Sequence, residues 1–210
     1  MKRNVILMIA LVTVLGVSGQ TKVGADQQRQ VLEKIDKAAL GLSALQCDFT
    51  QTKRMKLLNK DMKSKGVMYF KKPNKLRWQY VSPYDYIFIL NGNQVQLKSA
   101  KSTKNIDVQG NKMFRQISDI ILNSITGGNL KNSSDFSLEL YQGDHHYFAK
   151  LYPKKKELKQ IYDYIEIHFN PALTMVSSVK MAERTGDYTL VNLINPQTGI
   201  SIDEKMFKID

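Results

Sequence analysis

With 210 residues, 42% of them hydrophobic, the chain is long enough for one domain with a substantial core, and its single cysteine, Cys47, excludes an intramolecular disulfide. Packing alone must therefore hold the fold. A net charge of +12 suits an anionic partner, whether nucleic acid, a membrane surface or an acidic protein.

The first residues narrow that choice. Met1-Lys2-Arg3 is a short cationic start, and Val5 to Val17 is an apolar run suited to a secretory signal and too short to span a bilayer comfortably. A signal peptide is expected over 1–25, with cleavage after 19 or after 25, where Val17 and Gly19, or Val23 and Ala25, supply the small residues. No cysteine stands near either site, so no lipidated N-terminus is expected. Loss of Lys2, Arg3 and Lys22, with no acid, lowers the charge from +12 to +9. Export removes nucleic acid from the expected partners and leaves anionic membranes and acidic proteins.

From Asp26 to Gln46 the spacing is helical, with Val31, Ile35, Ala38, Leu42 and Leu45 on one stripe and Asp26 as N-cap. The period then changes. Residues 47–58 read as a strand, 59–61 as its turn, and the run up to Pro73 as a returning strand that contains Met68 and Phe70. In KLRWQYV, Leu76, Trp78 and Tyr80 alternate with Arg77 and Gln79. The run 85–90 carries Phe88, and Asn91-Gly92-Asn93 turns it into 94–99. Cys47, beside a strand start, reads as a buried, inert thiol.

Between Gly110 and Gly128 the spacing is helical again, with Met113, Ile117, Ile120, Ile121 and Ser124/Ile125 on one face. Five more strands are expected at 136–142, 145–152, 160–169, 173–181 and 187–195, with turns at Gly143-Asp144 and Asn170-Pro171. The triplet Lys154 to Lys156 reads as solvated surface.

Several of these strands are apolar on both faces, notably 67–70 and 86–90. So many strands with two helical segments predict a mainly β fold with some α: a curved antiparallel half-barrel of about 10–11 strands, its concave face covered by helices. It forms one domain over 26–210. On patterning alone, that concave face is either a filled core or a site for an apolar ligand.

Catalytic signatures are missing from the sequence. There is no HExxH, no cysteine-histidine cluster, no GxSxG and no phosphate-binding glycine loop. His145 and His146, being adjacent, would point to opposite faces of a strand. The expectation is a protein that is not an enzyme and has no metal and no cofactor.

The segments DFTQTKR, GVMYFKKPNKLRWQYVSP and YIFILNGNQVQL, in that order, resemble the LolA family of periplasmic outer-membrane lipoprotein carriers. The resemblance rests on F-x-Q after a leading helix, on G-x-x-x-F-x-[KR]-P-x-x-x-x-W, and on I-x-[ND]-G; it extends through MFRQISDIILNSITGG and continues to DEKMFKID. It implies a lidded apolar cavity that receives the acyl chains of lipoproteins, in the periplasm of a Gram-negative bacterium. Acylated lipoproteins, an inner-membrane ABC-type releasing complex and an outer-membrane acceptor would be the partners of a monomeric carrier.

Strand parity would then make Phe49, Met68, Phe70, Leu76, Trp78, Tyr80 and Phe88 the ribs of the cavity. Met113, Ile117, Ile120 and Ile121 would close it. Lys72 stands where well-known members carry an arginine that pins the lid; lysine lacks arginine's planar fork, so a weaker or different latch is expected. The sequence stops soon after Phe207, so the extra C-terminal tail of some relatives is not expected. The alternatives are a carrier of another lipid or apolar molecule, and a lipid- or lipoprotein-sensing module of the same fold.

Overall fold

The computed structural model describes residues 20–108, 120, 122, 123, 125–128, 130, 131 and 133–209. In these residues a twelve-stranded antiparallel sheet dominates. The strands are β1 (Thr21–Lys22), β2 (Ala44–Met55), β3 (Lys60–Lys71), β4 (Lys75–Ser82), β5 (Tyr86–Asn91), β6 (Gln94–Ser99), β7 (Thr103–Asp107), β8 (Phe136–Gln142), β9 (Tyr147–Pro153), β10 (Tyr162–Phe169), β11 (Val176–Glu183) and β12 (Tyr188–Thr198). Their spatial order is β1-β8-β9-β10-β11-β12-β2-β3-β4-β5-β6-β7, so β1 and β7 are the end strands and do not pair with each other, and the barrel does not close.

Two strands exceed the sequence expectation. β7 is the polar edge segment TKNID, which has no apolar run to mark it. β1 lies inside the segment expected to be signal peptide, pairs with β8 through Thr21↔Gln142 and Lys22↔Tyr141, and is followed by the buried Val23.

The leading helix, α1 (Ala25–Gly41), is shorter than expected. Its N-cap is Gly24 and Asp26 sits in the first turn, while β2 begins at Ala44. Leu45 therefore belongs to a strand; its i+3 spacing from Leu42 imitated a continuing helical stripe. Val31, Leu32, Ile35 and Ala39 are the buried side chains of α1.

The first turn also moves: residues 56–59 form it, Asn59 has a φ of +46°, and Lys60 and Asp61 are already in β3. A short helix, α2 (Lys156–Ile161), precedes β10, so Lys156 is helical and Ile161, inside the strand expected at 160–169, ends the helix and is 39% exposed. Of the expected helix over 110–128, residues 120, 122, 123, 125 and 126 are helical; 110–119, 121 and 124 lie outside the described residues.

The concave face is filled by two adjoining clusters. One packs α1 and Ile120 against β8–β11, with Leu140, Ile165, Ile167 and Phe169 at its centre. The other packs Ile125 against β2–β6 and Val191 of β12. A third, smaller cluster lies on the convex side, where the C-terminal 3₁₀ turn (Glu204–Phe207) buries Phe207 against Ala44, Ile202 and Tyr69. The Arg77 guanidinium donates to the Met206 carbonyl at 3.3 Å and the Asn91 amide to that of Phe207 at 3.1 Å, strapping this segment to β4 and β5. Glu204 accepts from Lys71 at 2.7 Å and from Lys75 at 2.5 Å; these contacts hold its carboxyl down at about 2.

Candidate functional site

Cross-strand register lays the apolar side chains of the concave face in rows, because residues directly opposite share a face. Cys47, Met68, Trp78, Phe88 and Leu97 form one row across β2–β6, and Leu45, Phe70, Leu76, Leu90 and Val95 form the next. A third row runs from Leu193 of β12 through Phe49, Gly66, Tyr80 and Tyr86. The register irregularity between β3 and β4 falls after Tyr80, so the parity of Leu76, Trp78 and Tyr80 is preserved.

Gly66 permits the third row to close. A Cβ there would meet the Gln79 carbonyl oxygen at 1.9 Å and the Phe49 ring at 2.7 Å. The Phe49 ring covers the missing side chain and contacts its neighbours, with centroids 4.4 Å from Trp78 and 5.2 Å, edge-on, from Tyr80. Such aromatic pairs add about 0.5–1.5 kcal/mol each beyond area burial.

Above these rows lies an apolar cavity of about 250 Å³. Leu76, Trp78, Tyr80, Tyr86 and Phe88 form one wall, while Val179, Met181, Val191 and Leu193 form the facing wall. Ile120 and Ile125 come in from the helical insert. Gln51 is the polar exception: its Oε1 accepts from the Tyr80 hydroxyl at 2.9 Å. Burial raises the Tyr80 phenol above its ordinary value, so it stays a neutral donor. The Trp78 indole N–H is buried with no partner in hydrogen-bond geometry among the described residues.

Of the residues expected to line a cavity, Leu76, Trp78, Tyr80, Phe88 and Ile120 do so. Phe49 and Met68 are fully buried in the layer beneath, and Phe70 lines a different opening. Met113, Ile117 and Ile121 lie outside the described residues. The facing wall and Gln51 were missed, because parity assigns a face to each strand but not which distant strands meet across the curve.

The second opening, about 470 Å³, lies where α1 ends against the β3–β4 hairpin and the helical insert. Lys72 stands in it. Its ammonium donates to the Ala39 and Leu40 carbonyls at 2.8 Å each, and its backbone N–H donates to Ser43 at 2.9 Å. Those carbonyls belong to the last turn of α1, where orphan acceptors and the negative end of the helix dipole favour a cation. Lys131, beyond the insert, reaches Asp36 of α1 at 3.7 Å.

On the convex side His146 and His168 come together at 3.1 Å, with Glu166 at 3.7 Å from His168. Among the described residues there is no group of three or more His, Cys, Asp or Glu arranged to hold a metal ion.

The profile of the family described as outer membrane lipoprotein carrier protein LolA matches residues 41–210. The chain belongs to the LolA family. A relative from Methylococcus capsulatus, an outer-membrane lipoprotein carrier protein, is 25% identical over 166 residues, covering 78% of this chain and 76% of its own. Two solved structures share the fold at low identity. The Pseudomonas aeruginosa MucA/MucB complex contains a chain with a TM-score of 0.52 at 10% identity, matched over 88% of this chain and 61% of that one. An uncharacterized conserved protein from Thermus thermophilus has a TM-score of 0.51 at 9% identity, over 88% and 94%. LolA membership thus agrees with a sheet that curves around an apolar hollow without closing.

Proposed function

We propose that this LolA-family protein is a periplasmic carrier that takes the acyl chains of lipoproteins into the cavity beside Trp78 and shuttles them from the inner to the outer membrane. The observation that carries the reading is the apolar cavity itself, with aromatic and aliphatic side chains on both walls, in a chain of a lipoprotein-carrier family. Its partners would be an inner-membrane ABC-type releasing complex and an outer-membrane acceptor.

Each acyl methylene held in a membrane is worth about 0.8 kcal/mol, so a multiply acylated protein needs a soluble apolar host to leave it. At about 250 Å³ the cavity is smaller than the roughly 300–1,000 Å³ of common ligand sites. Loading then calls for the side chains that meet over the cavity, Ile120 and Ile125 among them, to give way, and the Lys72 contacts to the end of α1 are a polar tie beside them that would loosen. Release follows the same path in reverse, and no covalent step is involved.

Export fits cleavage after Gly19 better than after Ala25. The later site would remove β1 and take Val23, 7% exposed, out of the core.

Trp78 is the only tryptophan in the chain, which makes intrinsic fluorescence a direct reporter. A triacylated lipopeptide brominated along its acyl chains should quench that emission saturably. A soluble brominated control should not. Emission unchanged by the lipopeptide at saturation would contradict the reading.

A further inference from the structure

The hairpin joining β2 and β3 carries the most exposed large apolar side chain of the described residues, Leu57, with two further exposed ones beside it; Leu40, at the end of α1, is the other that exceeds 60% exposure. Leu57 is 95% exposed and Leu58 64%, both at the tip, and Met62 is 39% exposed on the returning strand. The hairpin also overhangs its neighbour. β3 begins at Lys60, whereas its pairing with β4 begins only at Lys65↔Ser82. Residues 60–64 thus extend past β4, a reach of about 17 Å at ~3.4 Å per strand residue.

The flanks of this tip are basic. Residues 53–65 contain Lys53, Arg54, Lys56, Lys60, Lys63 and Lys65 against one acid, Asp61. Asp61 is held by Arg54 at 3.1 Å; from the neighbouring turn, Glu183 faces Lys53 at 3.4 Å and Asp187 accepts the Lys56 backbone N–H at 2.9 Å. No ion pair engages Lys60, Lys63 or Lys65 among the described residues.

The hairpin also borders the way into the cavity. A cleft of about 440 Å³ runs from Met62, Lys63 and Ser64 to Gln51, Tyr80 and Tyr86, three residues that line the apolar cavity.

We propose that the Leu57-Leu58 tip is a membrane-docking finger that inserts into the interface of an anionic bilayer and presents the cleft to it. Exposed leucines on a turn gain by entering the acyl boundary, and cations around them gain from an anionic headgroup layer while suffering little desolvation. The occupant is the lipid surface itself, chosen by charge complementarity and by the path that joins finger to cavity. This inference deepens the carrier reading by naming the surface on which cargo transfer takes place.

The experiment is flotation of the mature protein with vesicles of phosphatidylcholine containing 30% phosphatidylglycerol. Binding is expected, weakening with added salt and falling roughly tenfold or more in Leu57→Glu/Leu58→Glu. Because both leucines are exposed, the variant should keep its fold by circular dichroism and its Trp78 quenching by the brominated lipopeptide. Absence of wild-type binding, or equal binding by the variant, overturns the finger. Loss of lipoprotein pick-up in the variant with vesicle binding intact would assign the tip to a protein partner and overturn it equally. Vesicle binding without lipopeptide quenching would instead sink the carrier reading and leave the finger standing.

Discussion

The ammonium of Lys72 lies 2.8 Å from the carbonyl oxygen of Ala39, tying the β3–β4 hairpin to the last turn of the helix that covers the sheet. The sequence leads to the expectation of a latch weaker than arginine would give, or of a different one. The lysine serves two adjacent carbonyls, Ala39 and Leu40, from a half-buried position.

Lys72→Ala should loosen α1 by about 1 kcal/mol, the order of a charge-assisted contact at a partly solvated helix end. Uptake of an apolar dye should become faster, and the amide protons of α1 should exchange sooner than those of β2. Lys72→Arg should keep both near wild type. Unchanged dye uptake in Lys72→Ala would refute the latch.

Gly66→Ala should destabilise the protein by about 2–4 kcal/mol, since the new methyl meets a backbone carbonyl at 1.9 Å and the buried Phe49 ring. Chemical denaturation reads this directly. Gly66→Ala combined with Phe49→Leu should recover only the ring's share of the clash, because Gln79 stays in place.

Cys47 gives a pH prediction. Burial first, and then the Asp48 carboxylate, push its thiol from 9.0 up to about 12. The folded state thus keeps a proton that the unfolded chain releases in that window. Its contribution is fully present below about 9 and declines as pH rises toward 12. Cys47→Ala should flatten that part of the stability curve, and the native thiol should resist alkylation at pH 8 until denaturant is added. Rapid native alkylation would contradict the burial.

On the proposed export, the mature chain should begin just after Gly19, because Thr21 and Lys22 pair with β8 and Val23 is buried. Intact mass and N-terminal sequencing decide it. A mature form starting at Asp26 should be less stable, as it would lack β1 and leave the edge of β8 open.

Much of the fold could be read from the sequence because alternation and turn residues mark it strongly. Leu76, Trp78 and Tyr80 keep one face, and Gly92 takes the φ of +61° that its turn needs. What escaped has local physical reasons. The polar edge strand Thr103–Asp107 has no core side to reveal it, and Leu42 and Leu45 mimic a helical stripe across the end of α1. Ile89, 3% exposed, looks like an outward residue by parity and is buried on the convex side, where the C-terminal segment straps across β4 and β5. For the candidate site, the near wall was legible from parity. Val179, Met181, Val191 and Leu193 were not, since only the curvature of the whole sheet brings β11 and β12 opposite β4 and β5.

The most direct measurement is a release assay on spheroplasts of a Gram-negative host carrying labelled lipoproteins. Added mature protein should bring them into the soluble fraction as a one-to-one complex. Trp78→Asp, which places a charge in the apolar cavity, should abolish that release. Release that is absent from the organism's own membranes, or that persists undiminished in Trp78→Asp, would contradict the carrier account.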